Sequence, residues 1–197
     1  MALPAQADDK KLNLSATTYI ATDYMFRGYS SSLQEPEAVA EFDLTYGIFY
    51  LGVWSSNTAF GDGVEVDPYV GIAPKWGNVT FNFGFLPYLY PGAHDENYIE
   101  LKGAAAYTSG NWSFGIGEWW SPDNFQLYGN SFATEGSIAY AFQGKLFNFF
   151  TPTVSGLFGY QTFEDIAPDY AYWNAGLTLG FWEHYSFDVR YWDTDVS

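Results

Sequence analysis

The sequence predicts an all-β fold: an up-and-down antiparallel transmembrane β-barrel of about 12 strands, with 11 visible. Three observations predict it. Side-chain character alternates with period two through one segment after another. The connections between these segments alternate between short and long. Aromatic residues make up 22% of the 197 residues, with 18 Phe, 17 Tyr and 8 Trp. Tyr and Trp collect at membrane–water boundaries because each ring has an apolar body and a polar tip.

Residues 38–57 show the pattern best. Ala40, Phe42, Leu44 and Tyr46 alternate with Glu41, Asp43 and Thr45, and after Gly47 the faces separate Phe49, Leu51 and Val53 from Tyr50, Gly52, Trp54 and Ser56. Successive side chains leave a strand on opposite faces, so this is an antiparallel hairpin. One face is apolar, and the other mixes carboxylates with aromatic and small residues. A soluble sandwich would bury the apolar face against a second sheet, whereas a membrane barrel turns it toward lipid.

In chain order, the first strand is expected from about Leu12 to Tyr29, with Leu12, Leu14, Ile20, Tyr24 and Phe26 opposite Asn13, Tyr19, Asp23 and Arg27. Residues 30–37 connect it to the hairpin, and the Gly-Asp-Gly loop 58–63 follows. Residues 64–75 set Val64, Val66, Val70 and Ile72 against Glu65, Asp67, Tyr69 and Lys75. After a turn at Gly77, Val79, Phe81, Phe83 and Phe85 alternate with Thr80, Asn82 and Gly84. Ile99, Leu101, Ala105 and Tyr107 then oppose Tyr98, Glu100 and Lys102, ahead of a turn at Gly110. Trp112, Phe114, Ile116 and Trp120 face away from Ser113, Gly115 and Trp119, and Glu118 interrupts the apolar side. Phe132, Ile138 and Tyr140 oppose Glu135 and Ser137, and Val154, Phe158 and Tyr160 oppose Thr153, Ser155 and Gln161. Trp173, Ala175, Leu177 and Leu179 oppose Tyr172, Asn174 and Thr178. The last segment sets Tyr185, Phe187, Val189 and Tyr191 against Asp188, Arg190 and Trp192.

Connections at Gly47, Gly77, Gly110, Gly144 and Glu183 are short, while 30–37, 58–63, 91–97, 121–130 and 163–168 are longer. Short periplasmic turns and long outer loops are the arrangement of outer-membrane barrels, which places the N-terminus in the periplasm. Ala5-Gln6-Ala7 has the small-x-small form of a signal-peptidase site. Residues 1–7 therefore read as the tail of an export signal and 8–197 as one barrel domain. Because bacterial barrels have even strand counts, a twelfth closing strand is expected beyond the eleven. Pro68, Pro74, Pro87 and Pro152 lie within strands and call for bulges or extensions past the bilayer.

The formal charge of −16, with only seven Lys and Arg, argues against nucleic-acid binding, which needs cationic side chains on phosphate. There is no cysteine, hence no disulfide and no Cys-based zinc site. No run approaches the ~18 apolar residues of a spanning helix, whereas barrel strands need only ~9–11.

Residues 21–30 (ATDYMFRGYS), 49–57 (FYLGVWSSN), 65–69 (EVDPY) and 188–195 (DVRYWDTD) together resemble the TorF family of bacterial outer-membrane porins. The resemblance implies an exported barrel that passes small solutes, in contact with lipid and lipopolysaccharide. It also implies a final strand past the equivalent of Asp195, which this sequence lacks, and it brings no catalytic residues or cofactor.

In a barrel the polar faces would carry Asp23, Glu41, Asp43, Glu65, Asp67, Glu100, Glu135 and Asp188 into the lumen with Arg27, Lys75, Lys102 and Arg190. Cross-strand pairing that simply holds the barrel is the plainer role for most of them. The functional role is a net-acidic constriction favouring cations, with Glu41, Asp43, Glu65 and Asp67 as its densest part. Tyr50, Trp54, Tyr69, Tyr98, Trp119, Tyr172 and Trp192 point inward as well, as packing or as the lining of a solute path. Asp62 with Glu65 and Asp67 offers oxygen ligands for Ca²⁺, although the spacing matches no EF-hand. His94 and His184 fall in connections at opposite ends, which leaves a hydrolase without a triad. The function expected is passive diffusion of small solutes through a narrow, cation-leaning channel in the bacterial outer membrane, alone, as a homo-oligomer or within a larger complex. A non-conducting barrel subunit, a barrel lipid hydrolase and a soluble carbohydrate-binding sandwich are the alternatives.

Overall fold

A computed structural model describes residues 11–196, and the export-signal reading of residues 1–7 lies outside them. The chain forms β1 (Leu12–Ala21), β2 (Met25–Phe26), β3 (Tyr29–Ser30), β4 (Glu37–Tyr46), β5 (Phe49–Asn57), β6 (Val64–Ile72) and β7 (Lys75–Trp76). It continues with β8 (Val79–Tyr88), β9 (Tyr98–Ser109), β10 (Trp112–Ser121), β11 (Ser131–Ala141), β12 (Thr151–Phe163), β13 (Tyr170–Phe181) and β14 (Tyr185–Thr194). Twelve strands make one antiparallel meander in the order β1-β4-β5-β6-β8-β9-β10-β11-β12-β13-β14, with β7 added beside β8. β2 and β3 form a separate hairpin. Among the described residues no backbone pairing joins β1 to β14, so the expected closure by a further strand is not seen.

The two faces settle which way the sheet looks. Phe42, Leu51, Phe83 and Leu177 are 54%, 52%, 51% and 38% exposed, while Glu100 and Tyr172 on the opposite face are fully buried. Among the described residues no second sheet covers the apolar face, so they do not form the two-layer sandwich. The register fixes this polarity: Phe42 faces Val53 and Leu44 faces Leu51, while Glu41 faces Trp54 and Asp43 faces Gly52. A slip of one residue would exchange the two sets. The sheet curls round its polar face, because Thr17 and Tyr19 of β1 and Trp192 of β14 line one common cavity.

Tyrosine rings fill the inside of this curve by lying over glycines on the neighbouring strand. Tyr69 faces Gly52 and Tyr50 faces Gly71 across β5–β6, and Tyr172 faces Gly159 across β12–β13. In each pair the ring occupies the space in which a Cβ would sit. An aromatic residue can therefore bend along the wall instead of blocking the interior.

Two of the strand prolines face each other. The β6–β8 ladder pairs Val70 with Phe85 and resumes at the Val66–Leu89 bridge in the same register, which sets Pro68 across from Pro87. Val66 and Leu89 exchange both N–H···O bonds, at 2.9 and 3.2 Å. Such doublets recur at every second residue of an antiparallel pair. Pro68 and Pro87 therefore occupy a doublet position that neither can serve, and the ladder skips it without a bulge. Ala73-Pro74 separates β6 from β7, so the expected continuous strand 64–75 is divided.

Gly159→Ala is expected to force the Tyr172 ring off the wall and to destabilise the fold by about 1–3 kcal/mol, as overpacking does. Chemical denaturation of the purified protein measures it.

Candidate functional site

The first long connection does not stay outside. Residues 22–36 fold back into the curve of the sheet as the β2–β3 hairpin, with Met25 paired to Ser30 and Phe26 to Tyr29. Its two-residue tip, Arg27-Gly28, has φ of 47° and 87°. Positive φ at both positions is the hairpin turn whose twist matches the flanking strands, and glycine takes it without strain. Gly28 also needs the room: a Cβ there would lie 2.8 Å from Cβ of Tyr172 and 3.3 Å from Cβ of Thr194. At the root, Asp23 accepts hydrogen bonds from the hydroxyls of Ser30 (2.6 Å) and Ser32 (2.9 Å).

At the tip, the buried Arg27 guanidinium donates to both carboxylate oxygens of Glu100, at 2.7 and 2.9 Å, and to Oε1 of Gln161 at 3.2 Å. Its carbon lies 4.7 Å from the centre of the Phe26 ring and 5.9 Å from that of Trp119. Tyr88 gives Glu100 a further hydrogen bond at 2.9 Å. Burial by itself would lower the guanidinium pKa, but the Glu100 carboxylate outweighs it and holds Arg27 well above its ordinary value. Tyr24, at the base of the hairpin, donates to Glu65 at 2.8 Å. Burial, and then the Glu65 charge, push its phenol well above the usual range, so Tyr24 remains a neutral donor.

The acids on the inner wall are held mostly by hydroxyls. The Tyr69 hydroxyl lies between Glu41 and Asp43 and shares its one proton with them, Tyr172 donates to Glu135 at 2.7 Å, and Ser56 donates to Glu37 at 3.2 Å. Tyr50 donates to Asn82 Oδ1 at 2.8 Å. Asp67 Oδ1 and Asn82 Nδ2 are buried without a hydrogen-bond partner. Closer to the short turns, Arg190 bridges Asp188 (3.1 Å), Asn174 (2.7 Å) and Ser155 (3.0 Å).

Two cavities flank the hairpin. The outer one, about 590 Å³, is walled by aromatic residues of the long loops, including Phe60, Phe125, Tyr128 and Phe163. The inner one, about 440 Å³, lies deeper along the strands and is reached by Glu37, Glu41, Asp67, Glu135, Trp54, Trp119 and Trp192. Phe26 and Arg27 line both. The tip of the hairpin is therefore the partition between them.

Residues 5–197 match a family described as "Bacterial protein of unknown function (Gcw_chp)". The chain belongs to this family. No curated protein and no solved structure matches it.

For this Gcw_chp member, the inward residues expected from alternation are largely those the fold gathers. Glu41, Asp43, Glu65, Asp67, Glu100, Lys102 and Glu135 share the interior with Tyr50, Trp54, Tyr69, Tyr98 and Tyr172. Lys102 sits 5.4 Å from the Trp119 ring, and Trp119 and Trp192 face the inner cavity. Asp188 and Arg190 form their ion pair at the turn-side end.

Two expectations are corrected, and Lys75 is placed at the rim. The first strand ends at Ala21, so Asp23 and Arg27 come from the hairpin rather than the wall. Lys75 keeps the inner-face register, opposite Thr80, but stands exposed at the turn end of β7, away from the buried acids. Asp62 stays in an exposed loop while Glu65 and Asp67 are buried, and no metal-holding set of His, Cys, Asp or Glu exists among the described residues. The residues missed are Tyr24, Phe26, Glu37, Tyr88 and Gln161. Arg27-Gly28 between aromatic residues is the signal that could have disclosed the hairpin.

Arg27→Met leaves the Glu100 carboxylate buried without its cation and is expected to cost about 3–5 kcal/mol. Glu100→Gln acts in the same direction, and the double variant should recover part of the loss. A double-mutant cycle of denaturation free energies, with amide exchange across 22–36, checks both.

Proposed function

We propose that this protein is a porin-like channel of the bacterial outer membrane, a barrel through which small solutes diffuse passively, narrow and leaning toward cations. The exposed apolar face supports a lipid-facing wall. Tyr46, Trp76, Tyr107, Trp112 and Tyr185 stand near the short turns, and Trp120, Tyr160, Trp173 and Tyr191 near the long loops. At ~3.4 Å per residue, Trp112 to Trp120 spans roughly 27 Å along the strand, on the scale of an apolar membrane band. On this reading the short turns and the N-terminus are periplasmic, and lipid and lipopolysaccharide are the surrounding partners. The resemblance of residues 21–30, 49–57, 65–69 and 188–195 to TorF-family porins points the same way.

The observation that carries the proposal is the pair of cavities that meet at Phe26 and Arg27. On this reading the solute path passes these two side chains, which line both cavities and act as its constriction. The acids that flank it set the charge preference, since carboxylates facing a pore favour cations. The fully bonded Arg27 also favours a second reading, a non-conducting barrel that serves as an interaction subunit.

Planar-bilayer recordings test the two readings against each other. Small, cation-selective conductance is expected, rising when Phe26 and Arg27 are both replaced by Ala. Changing Glu41, Asp43, Glu65 and Asp67 to their amides should reduce the cation preference. No current in either the parent or the Phe26→Ala/Arg27→Ala variant, with another protein co-purifying in detergent, would establish the subunit instead.

A further inference from the structure

Carboxyl groups outnumber cations along the lining of the inner chamber. Glu37, Glu41, Asp67 and Glu135 all reach it, and three of them are held by the neutral hydroxyls of Ser56, Tyr69 and Tyr172. The fourth, Asp67, is 1% exposed and makes no ion pair among the described residues, so it adds a buried polar group to the wall rather than a counter-charge. Arg27, the cation on the lining, is already bonded to Glu100 and Gln161. Among the described residues none of the four carboxylates makes an ion pair. A hydroxyl orients a carboxylate without neutralising it, so the chamber is prepared for a positive charge that comes from outside.

The walls select the kind of cation. The four carboxylates are spread over β4, β6 and β11, and no set of metal-ligating side chains gathers among the described residues. A bare metal ion would have to give up its water without a coordination shell to replace it. Trp54 and Trp119 line the chamber instead, and indole rings attract a cation whose charge is diffuse and whose shell is apolar. Trp119 already receives Lys102, with Nζ 5.4 Å from the ring centre. A volume of about 440 Å³ suits a small organic molecule rather than an ion.

We propose that the inner chamber binds small organic ammonium ions, quaternary or alkylated, with the Trp rings taking the apolar shell and the unpaired carboxylates the charge. This deepens the channel reading, on which it rests for the claim that such ions are permeant; the binding itself rests on the chamber.

Isothermal titration of the full chain in detergent tests it, with choline as the probe and 3,3-dimethyl-1-butanol as its neutral carbon isostere. Choline is expected to bind at least about tenfold more tightly than the alcohol, the scale of a desolvated cation–π contact. The Glu41→Gln/Glu135→Gln variant should lose about tenfold or more in choline affinity and keep its affinity for the alcohol. Trp54→Leu should weaken choline as well, and an unchanged thermal midpoint identifies variants that remain folded. Equal affinity for choline and the alcohol would overturn the proposal. So would choline affinity that is unchanged in a folded Glu41→Gln/Glu135→Gln variant. A cation-selective bilayer current with no choline binding removes the ammonium site and leaves the channel, whereas binding without current keeps the site and removes the channel.

Discussion

The ion pair between Arg27 and Glu100 is the contact on which the interior depends. It joins the tip of a loop hairpin to the start of β9, and the Gln161 amide on β12 completes it. These three residues can meet only if the sheet curls far enough to bring β9 and β12 round the hairpin. Two charges taken out of water are costly unless their remaining donors and acceptors are satisfied. Here the guanidinium uses two nitrogens on one carboxylate, and Tyr88 adds a third donor to it. Rings then close over the pair: Phe26 lies against Tyr88, and Tyr88 stacks on Tyr98 at 4.4 Å. Charge pairing and aromatic packing thus hold the same loop in the same place.

The rest of the interior is built on a different economy. With 23 acids against seven Lys and Arg, the chain cannot match every inward carboxylate with a cation. Tyrosine takes the cation's place as donor. Tyr24, Tyr69, Tyr88 and Tyr172 each bring a hydroxyl to Glu65, Glu41, Glu100 and Glu135 in turn. Glycine on the adjoining strand makes this possible, because Tyr69 and Tyr172 reach their acids by lying over Gly52 and Gly159. The high tyrosine and glycine content, the acidity and the curved wall are therefore linked by one packing scheme.

Much of this was legible from alternation. Period two with turn spacing located the eleven long strands to within a few residues, apart from the end of the first. It assigned Tyr50, Trp54, Glu65, Asp67, Glu100 and Tyr172 to the inner face. Alternation could not show where a strand stops and folds back on itself, since β1, Met25-Phe26 and Tyr29-Ser30 are all extended and keep the rhythm. Only Arg27-Gly28 marks the reversal, by its turn chemistry. The partners of Arg27 are 73 and 134 residues away, beyond any local pattern. Nor does alternation show how deep along the wall a side chain lies, since Lys75 keeps the inner-face register yet is exposed at the turn end. The opposition of Pro68 and Pro87 required the register between strands, which no single strand contains.

That opposition gives the wall a seam. Had either proline faced an ordinary residue, one N–H and one carbonyl would still have bridged the two strands there. Because both lack the N–H, parting β6 from β8 at this height breaks no backbone hydrogen bond. The gap lies beside Asp67 and Tyr69 on one strand and Leu86 and Tyr88 on the other, level with the acids of the inner chamber. Within the paired meander, this is where two neighbouring strands part at least cost in backbone hydrogen bonds.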